Sequence, residues 1–146
     1  MAEKCAPVSL IAGGRGIRML KGPDPLLQAV FLQMGIRRPT VAYVGTASGD
    51  NAPFRLLMTK HLQKAGAGKV KLAPLCGRHG DAEKAKAVFE ASDLVFLSGG
   101  DVEAGMRVLD EKGMIGLLRR LHRAGKPFFG ISAGSIMLAH KWIRWT

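Results

Sequence analysis

The sequence predicts an α/β domain built on a parallel sheet with helices on both faces. Three observations lead there. Short apolar runs alternate with longer amphipathic stretches along the chain. The apolar runs are continuous rather than alternating, which marks strands buried on both faces. Most of the runs end in small or polar residues, as the carboxyl edge of an open parallel sheet does.

Val8–Ala12 reads as the first strand, closed by Gly13 and Gly14. Pro25–Met34 places Leu26, Leu27, Val30, Phe31 and Met34 on one helical face. Thr40–Val44 is the second strand, ending in Gly45-Thr46-Ala47-Ser48-Gly49-Asp50. Pro53, a favoured first-turn residue, opens a helix that runs to about Ala65 and stops at Gly66 or Gly68. Val70–Leu75 is the third strand and Ala82–Ala91 a charged helix. Asp93–Leu97 is the fourth strand, ending at Ser98-Gly99-Gly100, and the helices Val102–Glu111 and Met114–Ala124 follow. Pro127–Ile131 is the fifth strand and Ala133–Lys141 the last helix. No linker or repeat divides the chain, so a single domain over residues 1–146 is expected.

Hydrophobic residues make up 47% of the chain, enough for a real core. The net charge of +11 raises the question of a nucleic-acid partner. The basic residues are scattered, however, and no aromatics alternate with them as a single-strand platform needs. The densest group, Arg119, Arg120, Arg123 and Lys126, has helical spacing and reads as a solvated helix face. Nucleic acid is therefore not the expected partner. Two cysteines, Cys5 and Cys76, lack metal-ligand or disulfide-framework spacing, which points to a reducing cytoplasm. The first apolar stretch is too short for a signal core or a membrane span. No metal is expected, because no His/Cys/Asp/Glu cluster has ligand spacing.

The sharpest motif is Gly130-Ile131-Ser132-Ala133-Gly134, a G-x-S-x-G set between a strand and a helix. A sharp turn there lifts the serine above the sheet, and glycines on either side remove side chains that would clash. The N–H after the serine points to where an oxyanion would form, and the helix start adds positive potential. Ser132 is thus the candidate nucleophile. Gly14, Ser48, Asp50 and Asp101 lie on the same edge and are candidate substrate contacts, with helix capping the better reading for Asp101.

Together with Phe96-Leu97-Ser98-Gly99-Gly100-Asp101, this elbow resembles the dipeptidase E and cyanophycinase family of serine peptidases. The resemblance covers essentially the whole chain. It implies a class I glutamine amidotransferase-like, flavodoxin-like sandwich. It implies Ser132 as nucleophile, with the N–H groups of Ala133 and Gly100, and of Gly99 beside it, as the oxyanion hole. A short peptide is the implied substrate, with no cofactor. An amidotransferase proper would carry Cys at Ser132.

The family's catalytic His and its acidic partner lie downstream of the nucleophile, whereas this sequence stops at Thr146. The expectation is a truncated member, its C-terminal part missing, with little or no peptidase activity alone. Of the four histidines, His79 is best placed as a substitute base. His61 and His122 read as surface residues, and His140 as pointing away from the serine.

Other motifs fail. Gly14-Arg15-Gly16 lacks the third glycine of a dinucleotide fingerprint, since Met19 stands there. Gly66-Ala67-Gly68-Lys69 lacks P-loop spacing. Two alternatives stand beside the peptidase reading. One is an α/β-hydrolase esterase using Gly13-Gly14-Arg15-Gly16 as its oxyanion loop. The other is a non-catalytic interaction module, whose uncovered apolar surface would drive homo-oligomer formation.

Overall fold

A computed structural model describes residues 6–12 and 22–144. Gly14, and with it the Gly13–Gly16 motif, lies outside the described residues. Among the described residues five strands form one sheet: β1 (Val8–Ile11), β2 (Val41–Val44), β3 (Val70–Leu72), β4 (Leu94–Leu97) and β5 (Phe128–Ile131). Their order is β1-β5-β4-β2-β3, and every pairing is parallel. The helices are α1 (Pro25–Met34), α2 (Ala52–Ala65), α3 (Ala82–Ala91), α4 (Val102–Glu111), α5 (Met114–Arg123) and α6 (Ala133–Met137). None of them is long and apolar enough to cross a membrane.

Side-chain alternation along the strands divides the core into two. Val41, Tyr43, Leu94, Phe96 and Phe129 face α1 and α2, where they meet Leu27, Phe31, Met58 and Leu62. Ala42, Val44, Val95, Leu97 and Phe128 face the other side, against Phe89, Leu109, Leu117 and Met137. Each fully buried aromatic contributes about 2–3 kcal/mol. A row of rings crosses the sheet, with Tyr43 to Phe96 at 5.5 Å and Phe96 to Phe129 at 4.7 Å. At the amino end, the Asp93 carboxylate accepts from the Thr40 N–H at 2.8 Å and its hydroxyl at 3.0 Å. The Asp93 N–H donates back to the Thr40 hydroxyl at 3.0 Å.

The expected elements are all present, with three departures. The third strand ends at Leu72 rather than Leu75. Pro74 has no N–H to give, and the Asp50 carboxylate takes the N–H groups of Leu75 and Cys76, at 2.9 Å each. The last helix stops at Met137 rather than Lys141. Beyond it the chain is drawn toward α4, where Arg144 pairs with Glu103. Finally, Lys126 is no part of a solvated face. Its ammonium donates to the carbonyls of Phe89 and Glu90 at the end of α3, the latter at 3.1 Å.

Helix α2 leaves β2 toward one face of the sheet, and α4 leaves the neighbouring β4 toward the other. The crevice between such strands is where open α/β sheets bind ligands. It is floored by the loops after β2 and β4, with the end of β5 beside it.

Candidate active site

Ser132 sits between β5 and α6 with φ 54° and ψ −120°, a conformation costly for any residue with a side chain. Two glycines make the turn fit. A Cβ on Gly130 would stand 2.5 Å from the Gly134 carbonyl carbon, and one on Gly134 would collide with the Leu97 carbonyl. Hydrogen bonds hold the turn. The Ser132 N–H donates to the Ile11 carbonyl at 3.0 Å, and the Ser132 carbonyl accepts from the Ser135 N–H at 3.0 Å and its hydroxyl at 2.6 Å. The Ser132 side chain is left exposed above the sheet edge.

The glycine pair after β4 lies beside it. A Cβ built on Gly99 would be 3.5 Å from Ser132 Cβ and 3.9 Å from its Oγ. Gly100, at φ 140°, is pressed against the loop after β2, where any side chain would collide with the Ala47 carbonyl. The next residue, Asp101, donates its N–H to that same carbonyl at 2.7 Å. Among the described residues, the N–H groups of Gly100 and Ala133 have no backbone acceptor outside the helices and strands. Helix α6 spans only five residues, so the positive potential expected from its start reduces to its first N–H groups.

The remaining candidates have structural partners. Asp101 caps α4, accepting from the Ala104 N–H at 2.8 Å. The Ser48 hydroxyl donates to the Gly45 carbonyl at 3.1 Å within a short 3-10 turn, Thr46–Ser48. One oxygen of Asp50 ties the end of β3 to the loop after β2, while the other, Oδ1, is buried without a partner among the described residues. Among the described residues, Tyr43 Oη, Thr46 Oγ1 and Arg55 Nε are likewise buried without a partner. Burial raises the Tyr43 phenol above its ordinary range, a rise that Ser98 and Arg55 temper. The sequence reading missed this polar group, because its members are spread over β2, the loop and α2 with no motif spacing.

The histidines are not gathered at Ser132. His79 is exposed in the turn Gly77–His79 after β3, the far edge strand. Three strand spacings separate β3 from β5, about 14 Å, beyond any direct proton transfer. His61 is buried rather than on the surface, 3.6 Å from the Asp24 carboxylate that caps α1. His122 is also partly buried, with its Nε2 2.9 Å from the Ala6 carbonyl. His140 faces a groove lined by α4 and α5. The Cys76 thiol is pushed up to about 11, mainly by burial and then by the Asp50 charge, so it offers no competing thiolate. Among the described residues, no group of three or more His, Cys, Asp or Glu could hold a metal ion.

The model of peptidase family S51 matches residues 10–145. The chain belongs to peptidase family S51. A cyanophycinase from Nostoc sp. strain PCC 7120 is 27% identical over 81% of this S51 chain and 40% of its own length. A pyridoxal 5'-phosphate synthase subunit PdxT from Geobacillus sp. strain WCH70 is 35% identical over 55% of the chain and 42% of its own length. Two solved structures share the fold. A peptidase from an acI-B1 Actinobacterium has a TM-score of 0.69 at 17% identity, covering 90% of this chain and 56% of that one. A protein described as a peptidase E from Listeria monocytogenes EGD-e has a TM-score of 0.66 at 17% identity, covering 90% and 60%. The S51 chain thus spans about two fifths of the length of the curated relatives it matches. The family match sets it with these peptidases rather than with the α/β-hydrolase esterases.

Proposed function

We propose that the chain carries the nucleophile and oxyanion half of a serine peptidase site acting on short peptides in a reducing cytoplasm. The observation that carries this reading is the backbone of Ser132, held at a positive φ with its exposed side chain beside Gly99. A strained backbone that persists through glycines on both sides supports a functional rather than a merely connecting turn. A serine, not a cysteine, at this position favours peptide hydrolysis over amidotransfer.

In this reading Ser132 Oγ attacks the peptide carbonyl carbon. The N–H groups of Gly100 and Ala133 receive the developing oxyanion, the term on which acyl transfer depends most. The serine proton needs a base, and no described histidine reaches it. The described residues therefore supply attack geometry without proton transfer, which leaves the hydroxyl a weak nucleophile at neutral pH. Activity of the chain by itself is expected to be slight.

Fluorophosphonate labelling followed by peptide mapping tests the reading. The expected result is a slow adduct on Ser132, absent in Ser132→Ala and accelerated by imidazole added as a free base. An adduct on another residue, or none with imidazole present, rejects it. A non-catalytic module predicts the second of these outcomes.

A further inference from the structure

A large concavity among the described residues lies away from Ser132, on the face of the sheet covered by α4, α5 and α6. It has a volume of about 490 Å³, within the size range of true binding sites. Its floor is Val8 of β1 and Phe128 of β5, and its walls include Met106, Leu109, Ile115 and Leu118. Along α5 the groove face runs Ile115, Leu118, Arg119, His122, Arg123, a spacing of three and four that gives one stripe, apolar at its start and cationic at its end. His122 spends its ring on the Ala6 carbonyl and the edge of Phe128. Arg119, Arg123 and His140 are exposed, and among the described residues no carboxylate lines the groove.

Three observations say what fits there. The rim is basic, and among the described residues nothing on it neutralises the two arginines, so the occupant is anionic. Strand β1 pairs only with β5 among the described residues, and its Leu10 is 56% exposed, so an open backbone edge runs beside the groove. That edge suits a polypeptide better than a small molecule. A second copy of this chain fits poorly, because a symmetric contact would set one Arg119 and Arg123 rim, on a protein of net charge +11, against its twin.

We propose that this groove docks an acidic amphipathic polypeptide segment from a partner chain, with apolar side chains against Ile115, Leu118 and Met106 and carboxylates on Arg119 and Arg123. The proposal is independent of the role of Ser132, so it stands or falls apart from the peptidase reading.

The probe is a fluorescein-labelled 18-residue helix of Leu, Ala and Glu with one apolar stripe, compared by anisotropy with its twin carrying Lys for Glu. The expected result is saturable binding of the Glu peptide only. The pair Arg119→Glu with Arg123→Glu should weaken it at least tenfold. Lys60→Glu with Lys64→Glu, the same charge change at the same spacing on α2 across the sheet, should weaken it less than twofold. Circular dichroism confirms that both variants fold. Equal binding of the two peptides, equal loss in both variants, or no binding overturns the proposal. So does a dimer in light scattering that the groove substitutions abolish, which would assign the face to a second copy.

Discussion

The Asp101 N–H donates to the Ala47 carbonyl at 2.7 Å, and this bond sets the height of the glycine pair beside Ser132. The same carbonyl excludes any side chain at Gly100, so one backbone oxygen fixes the loop after β4 on the loop after β2.

Gly100→Ala is therefore expected to separate the two loops. It adds a Cβ where the Ala47 carbonyl stands and a side chain at φ 140°. A loss of about 3 kcal/mol in urea denaturation is expected, with fluorophosphonate labelling of Ser132 falling further than the stability loss alone explains.

Ser132→Gly should act in the opposite sense on stability. Its φ of 54° and ψ of −120° suit glycine far better than serine. The variant should gain about 1 kcal/mol, read as a raised melting temperature, while losing all probe labelling. A destabilised Ser132→Gly protein would show that the turn is not strained.

Asp50 serves as a fastener between β2 and β3, and two substitutions there should differ in cost. Asp50→Ala strands the N–H groups of Leu75 and Cys76 and places alanine at φ 55°, for an expected cost of about 3 kcal/mol. Asp50→Asn keeps an acceptor oxygen and a residue tolerant of that φ, for about 1 kcal/mol. Chemical denaturation of the two variants side by side measures the gap.

Cys76 gives a pH-dependent readout. Its thiol is raised from 9.0 to about 11, so at pH 8 alkylation by iodoacetamide should run about 100-fold slower than for an ordinary thiol. A Cys5→Ser background isolates the signal. The fold favours the neutral thiol, so its contribution to stability is whole below pH 9 and fades as pH climbs through about 11. Rapid alkylation at pH 8 would contradict the burial of this group.

Much of this architecture was legible in the residues. The continuous apolar runs of β2 and β4 announced strands buried on both faces, and G-x-S-x-G announced the elbow, because both signals are local. Asp50 was different. It reads as a polar residue on the binding edge, and only the tertiary approach of Leu75 and Cys76 reveals what holds it. His61 and His122 were misplaced for a related reason. Helical spacing gives a face, but whether that face meets solvent depends on Asp24 and Ala6, which are distant in sequence. The groove beside β1 was equally invisible, since its lining comes from three strands and three helices.

The double fastening of β2 to β4, by Thr40 with Asp93 below and the Ser98 hydroxyl on the Val44 carbonyl at 3.2 Å above, has a dynamic corollary. The amides of this central pair can meet deuterium only when the entire molecule opens, whereas the elbow at the margin of α6 can fray by itself. Their exchange therefore clocks global unfolding, and the turn that carries Ser132 breathes on a faster clock than the scaffold beneath it.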